Sequence, residues 1–197
     1  MIGIQKLKIQ EFLTASAGPS IAPTLVRLNE WLASIQAEGL DVAMRGLLPT
    51  ADLSQSSDVM EDIAEALVQE AADMERKLLS KALQETLYYR VGFDPSISYD
   101  EFKTRFARHL DARAASALII RFLRLYFFHR VWLETGESFR ALARSSSEFE
   151  KYIDDVEQVC DRTVASVWKS FENTNRSLDS EAAAELVQKI ERGLRGV

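Results

Sequence analysis

The sequence predicts an all-α fold, a helical bundle of about six to eight helices, three of them long, around a central aromatic helix. Three observations carry this. Glycine and proline fall in narrow clusters and leave the windows 50–91, 96–135 and 137–192 free of both. Long windows without breakers favour long helices. Apolar residues recur at steps of three and four, the signature of a helix with one buried face. There is no β-alternation, internal repeat or low-complexity tract. With 197 residues, 47% of them hydrophobic, the chain reads as a single domain over 1–197, with short N-terminal helices in 1–49 and the main bundle in 57–192.

The elements follow in order. Ile4 to Leu13 reads as a short amphipathic helix. Pro23 stands in the first turn of the next one, which turns Leu25, Leu28, Leu32 and Ile35 inward and stops at Gly39. Asp58 with Glu61 caps a long helix whose stripe is Met60, Ile63, Leu67, Ala71, Met74, Leu78 and Ala82, ended by Gly92 and Pro95. Ser98 with Glu101 opens the basic segment, and Asp111 restarts a helix within it. Gly136 closes that helix, and a short piece with Phe139 and Leu142 follows. Ser147 with Glu150 opens the third long helix, with a seam of Phe149, Ile153, Val156, Cys160, Thr163, Val167 and Phe171. The last helix starts near Asp179 and buries Ala183, Leu186 or Val187, Ile190 and Leu194.

The totals narrow the function. One cysteine excludes an internal disulfide and fits a reducing compartment. Lys6 and Lys8 interrupt any signal-like apolar run, and the most apolar window, 114–133, carries Arg121, Arg124, His129 and Arg130. Charges there are costly in lipid, so the expectation is a cytoplasmic protein with no membrane segment. The formal net charge of -6 repels phosphate unless the cations gather on one face.

They do gather along the chain. Phe102 to Trp132 holds Lys103, Arg105, Arg108, Arg113, Arg121, Arg124 and Arg130 against the lone Asp111, interleaved with Phe122, Tyr126, Phe127, Phe128 and Trp132. On a helical wheel Arg113, Arg121 and Arg124 fall within about 80° of one another. Arg113, Arg121, Arg124 and Arg130 are therefore a candidate interaction or nucleic-acid surface. The competing reading pairs these arginines with acidic faces of the helices over 58–91 and 148–172.

No Cys/His cluster has zinc-ligand spacing, and neither a phosphate-cradling glycine loop nor a nucleophile elbow is present. No metal or cofactor is expected. Glu61-Asp62-x-x-Glu65 with Glu70-x-x-Asp73 resembles the metal ligands of the all-α MazG-type nucleotide pyrophosphohydrolases, but on one straight helix these carboxylates spread apart. Asp154-Asp155-Val156-Glu157 is similar to the start of the aspartate-rich motif of isoprenoid synthases, with Gln158 in the fifth position. Arg124-Leu-Tyr-Phe-Phe-His129 resembles the R-x4-6-H pattern of the HEPN ribonucleases. That resemblance implies Arg124 and His129 acting on RNA at a dimer cleft. Positions five apart on a continuous helix lie about 140° around its axis, so a local break is needed to bring the two together.

The leading expectation is a non-enzymatic accessory subunit that docks a partner protein or a second copy of itself. The alternatives are a nucleic-acid binder using the segment 103–130, and a HEPN-like ribonuclease using Arg124 and His129.

Overall fold

The computed structural model describes residues 18–49, 58–69, 71–92, 97–108 and 110–196. The expected helix Ile4 to Leu13 lies outside them. The described residues form eight α-helices and no strand: α1 (Ile21–Glu38), α2 (Leu40–Leu47), α3 (Val59–Leu67), α4 (Asp73–Val91), α5 (Tyr99–Ala107), α6 (Ala112–Leu142), α7 (Ser146–Glu172) and α8 (Ser180–Arg195). The helices pack in two layers. α4, α6 and α7 lie side by side with α6 in the middle, and α3, α1 and α8 form the layer beneath. α2 closes on α1 and α3, and α5 packs on α4.

Several helix starts are written in short-range chemistry. Asp58 accepts the Met60 and Glu61 N–H groups, Ser98 that of Glu101, Asp111 that of Ala114 and Asp179 that of Ala182. Each side chain satisfies a donor that the first helical turn leaves free. α1 buries Leu25, Leu28, Leu32 and Ile35, and α8 buries Ala183, Leu186, Val187, Ile190 and Leu194, the faces their spacing predicts.

Four expectations are corrected. The long helix over 58–91 is two helices. At Val68 the chain turns back, with Ala71 N–H donating to the Val68 carbonyl (2.9 Å), so that α3 packs on α4. The Arg76 guanidinium caps the Gln69 carbonyl (2.6 Å), and burial of Val68 and Ala71 rewards the turn. The break shifts the register of the buried stripe: Met74 is 69% exposed, and α4 buries Leu79, Leu83 and Leu87 beside the expected Ala82. Second, Gly136 does not end α6, which runs to Leu142. A Cβ at Gly136 would stand 3.1 Å from the Trp132 indole, so this glycine makes room for a ring lying along the helix. Third, α7 starts two residues early. Ser145 accepts the Glu148 N–H, while the Glu148 carboxylate accepts the Arg144 N–H (2.8 Å). Fourth, the α7 seam drifts after Cys160 to Val164 and Trp168, because α7 is gripped by α6 on one side and α8 on another.

α7 and α8 meet closely at Gly193, where an added Cβ would lie 2.7 Å from Thr163 Cγ2. Alanine in place of a helical glycine ordinarily adds up to about 1 kcal/mol, less in a last turn such as that of Gly193. Here Gly193→Ala is expected to lower stability by about 1–2 kcal/mol, since overpacking outweighs propensity. Adding Thr163→Ser, which removes the obstructing methyl, should restore the gain. Urea midpoints of the two single variants and the double variant measure that coupling.

α6 is about 46 Å long and α7 about 40 Å, against about 24 Å for α8. α7 buries no residue before Val156, and Leu133 and Leu142 on α6 are more than half exposed. The paired ends of α6 and α7 form an arm joined through Trp132, Phe139, Phe149 and Tyr152 with ring separations of 5.5–6.2 Å, in which Thr135 and Phe139 are still buried.

Candidate functional site

α6 carries the aromatic and basic residues, and its neighbours decide what each can do. In its first half it buries Leu118, Ile119, Phe122, Leu123 and Tyr126 toward the second layer. In its second half burial moves around the helix to Val131, Thr135 and Phe139. The sequence shows no single stripe here because the helix changes partner along its length.

The cations are largely engaged within the chain. Arg124 makes a two-pronged pair with Asp161 of α7, through Nε to Oδ1 and NH2 to Oδ2. Both side chains are about a third exposed, so the pair is worth at most about 1 kcal/mol and acts mainly to fix register. Arg130 binds Glu134 one turn on (2.7 Å). The Arg121 guanidinium stacks 3.8 Å from the ring of Tyr89 on α4. Arg113 is exposed at the start of α6. Lys103 reaches Asp41 of α2 (2.7 Å), and Arg105 caps the Val91 carbonyl (3.0 Å).

The structure does not bring Arg124 and His129 together. Arg124 leaves α6 toward α7, whereas His129 leaves toward α4 and meets Glu85 with Nε2 3.0 Å from Oε2. Burial holds the His129 pKa below its ordinary value, against the opposing pull of Glu85. An unfolded histidine titrates near pH 6.5. Between the depressed folded pKa and that value the unfolded chain binds more protons, so stability rises with pH across the window and is lost as pH falls through it. Wild type should therefore be less stable at about pH 5.5 than at about pH 7.5 by a margin that His129→Gln reduces, read from urea midpoints.

Cys160 is buried, and burial pushes its thiol up to about 12, the state of a packing residue rather than a nucleophile. Tyr126, fully buried, accepts the Gly18 N–H (3.2 Å), and Glu75, also buried, accepts the Ser20 N–H (3.0 Å). These two residues fasten the entry to α1, a role that no local pattern announces. Among the described residues no three His, Cys, Asp or Glu side chains converge to hold a metal ion. Nor is any described helix long and apolar enough to cross a membrane.

Among the described residues, no helix covers one side of α6. α4 and α7 flank it and α1 lies beneath. The remaining side carries Leu125, Phe128 and Trp132 at steps of three and four, all partly exposed, with Phe128 stacked on Trp132 (6.3 Å) and Trp132 against Phe149 of α7 (5.5 Å). Exposed Tyr89 extends the strip at one end.

The family model described as "Qat anti-phage system associated protein QatB" matches residues 13–192. The chain belongs to the QatB family. That description ties the chain to an anti-phage system, and the match covers α1 to α7 and most of α8. No curated protein and no solved structure matches the chain.

Proposed function

We propose that this QatB-family chain is a non-enzymatic, cytoplasmic accessory subunit that docks a partner protein within its anti-phage system. The observation that carries the reading is the open face of α6, where aromatic side chains remain partly exposed on the central helix of a layer. A contiguous apolar strip of this kind on a folded domain marks an interaction site. The family description, which ties the chain to a system, supports the same reading. Arg124 and Arg130 are bound to carboxylates and Arg121 to an aromatic ring, so few cations are left for phosphate. His129 is held by Glu85, away from Arg124.

The test is co-expression of the tagged chain with each protein encoded beside its gene. Stoichiometric co-elution with at least one is expected. A clean monomer by light scattering that retains none of them overturns the reading. RNA cleavage lost on His129→Ala would replace it with the ribonuclease, and salt-dependent oligonucleotide retention weakened by Arg121→Glu with Arg124→Glu would replace it with the nucleic-acid binder.

A further inference from the structure

The open face of α6 has unequal rims. On the α7 side, Glu150, Asp154, Glu157 and Asp161 recur at steps of four, three and four and so form one stripe. The Asp161 bond to Arg124 sets this stripe against α6. Asp161 is neutralised by Arg124, while Glu150, Asp154 and Glu157 are exposed. The basic residues Lys151, Arg162 and Lys169 stand about 80–100° further around α7, beside Asp155, on the edge away from α6. On the α4 rim, Glu85 is answered by Lys81 (3.9 Å) and His129, and Tyr89 by Arg121. The trough is apolar along its floor, negative along the α7 wall and net positive along the α4 rim, where Lys81 and Arg121 stand against Glu85 alone.

We infer that this trough seats an amphipathic helix of a partner protein, with its apolar residues on Leu125, Phe128 and Trp132 and its lysines or arginines along Glu150, Asp154 and Glu157. The inference rests on the accessory-subunit reading and names the surface and the chemistry of its partner. A helix laid between two helices reads its groove through anchors at i, i+3, i+4 and i+7, a spacing that suits the floor residues. Aromatic floor residues supply the affinity, and the one-sided charge fixes which way round the helix lies. A phosphate backbone is repelled by the same wall. A second copy of this chain would have to answer three unpaired carboxylates, and the like face of a copy repeats them.

Two synthetic helical peptides test this. Both carry leucines at i, i+3, i+4 and i+7, and they differ in a flank of lysines or of glutamates. Each is titrated into the full chain by anisotropy, with tryptophan emission recorded. Trp31 and Trp168 are each 5% exposed, so a blue shift on binding reports Trp132. The lysine peptide is expected to bind at least about ten-fold more tightly than the glutamate peptide and to shift the emission. The exposed-site variant Glu150→Lys, Asp154→Lys, Glu157→Lys should reverse that preference, and Phe128→Ser should weaken both peptides. Equal binding of the two peptides, an unshifted emission, or indifference to the charge-reversed variant overturns the inference. A dimer that Phe128→Ser dissolves also overturns it, by putting a second copy in the trough. If a system protein still co-elutes undiminished with both variants, this surface is wrong and the subunit reading stands. If the wild type retains no system protein, both fall.

Discussion

Phe122→Ala is expected to lower the stability of the protein by about 3–5 kcal/mol, the range for emptying a fully buried aromatic site. Phe122 is 0% exposed and lies on the stretch of α6 that faces the second layer. Its neighbours on that face, Leu118, Ile119, Leu123 and Tyr126, belong to one rigid helix and cannot collapse into the space it leaves. Domains of this size are stable by about 5–15 kcal/mol, so the loss is a large share of the whole. Urea unfolding should show a lower midpoint at unchanged slope. Phe128→Ala, six residues on but on the open side, should cost about 1–2 kcal/mol, because its ring already meets water. Equal losses at the two positions would mean that the open face is covered in solution.

Asp58→Ala should cost about 2–3 kcal/mol, unusually much for a residue outside the core. One oxygen of Asp58 takes the Met60 and Glu61 N–H groups, both at 3.0 Å. The other takes the Tyr88 hydroxyl of α4 at 2.8 Å. A single carboxylate thus starts α3 and ties it to α4. Asp58→Asn keeps the capping oxygen and should lose under about 1 kcal/mol, and Tyr88→Phe isolates the second tie at about 1 kcal/mol. Thermal midpoints of the three variants separate the contributions. An Asp58→Ala loss no larger than that of Tyr88→Phe would show that the cap contributes nothing.

The all-α class and most helix starts were legible because they rest on chemistry within four residues. Asp58, Ser98, Asp111 and Asp179 each cap the turn that follows. The break at Val68 was not legible: no glycine or proline marks it, and it is paid for by tertiary burial and by Arg76 reaching back to Gln69. Gly136 misled for the opposite reason, being a breaker by propensity and a seat for Trp132 in fact. At α7 both Ser145-x-x-Glu148 and Ser147-x-x-Glu150 fit a capping pattern, and only the additional bond from Arg144 to Glu148 distinguishes them. In the candidate site, the divergence of Arg124 and His129 followed from helical geometry, but Asp161 and Glu85 as their partners did not. The acidic stripe 150, 154, 157, 161 was readable as a spacing, yet its meaning depends on the neighbouring α6.

The arm formed by the ends of α6 and α7 gives the molecule two tiers of cooperativity. Over 133–142 and 146–155 the buried side chains are Thr135 and Phe139, whereas residues 118–131 bury Leu118, Ile119, Phe122, Leu123, Tyr126, Phe127 and Val131. Amide protons over 133–142 and 146–155 should therefore exchange with solvent through local opening, while those of 118–127 wait for global unfolding. A single unbroken helix, α6, then spans both regimes. Whatever grips or strains the arm can melt or straighten its outer turns without disturbing the bundle, and the Trp132 ring at the junction is where that change would first be felt.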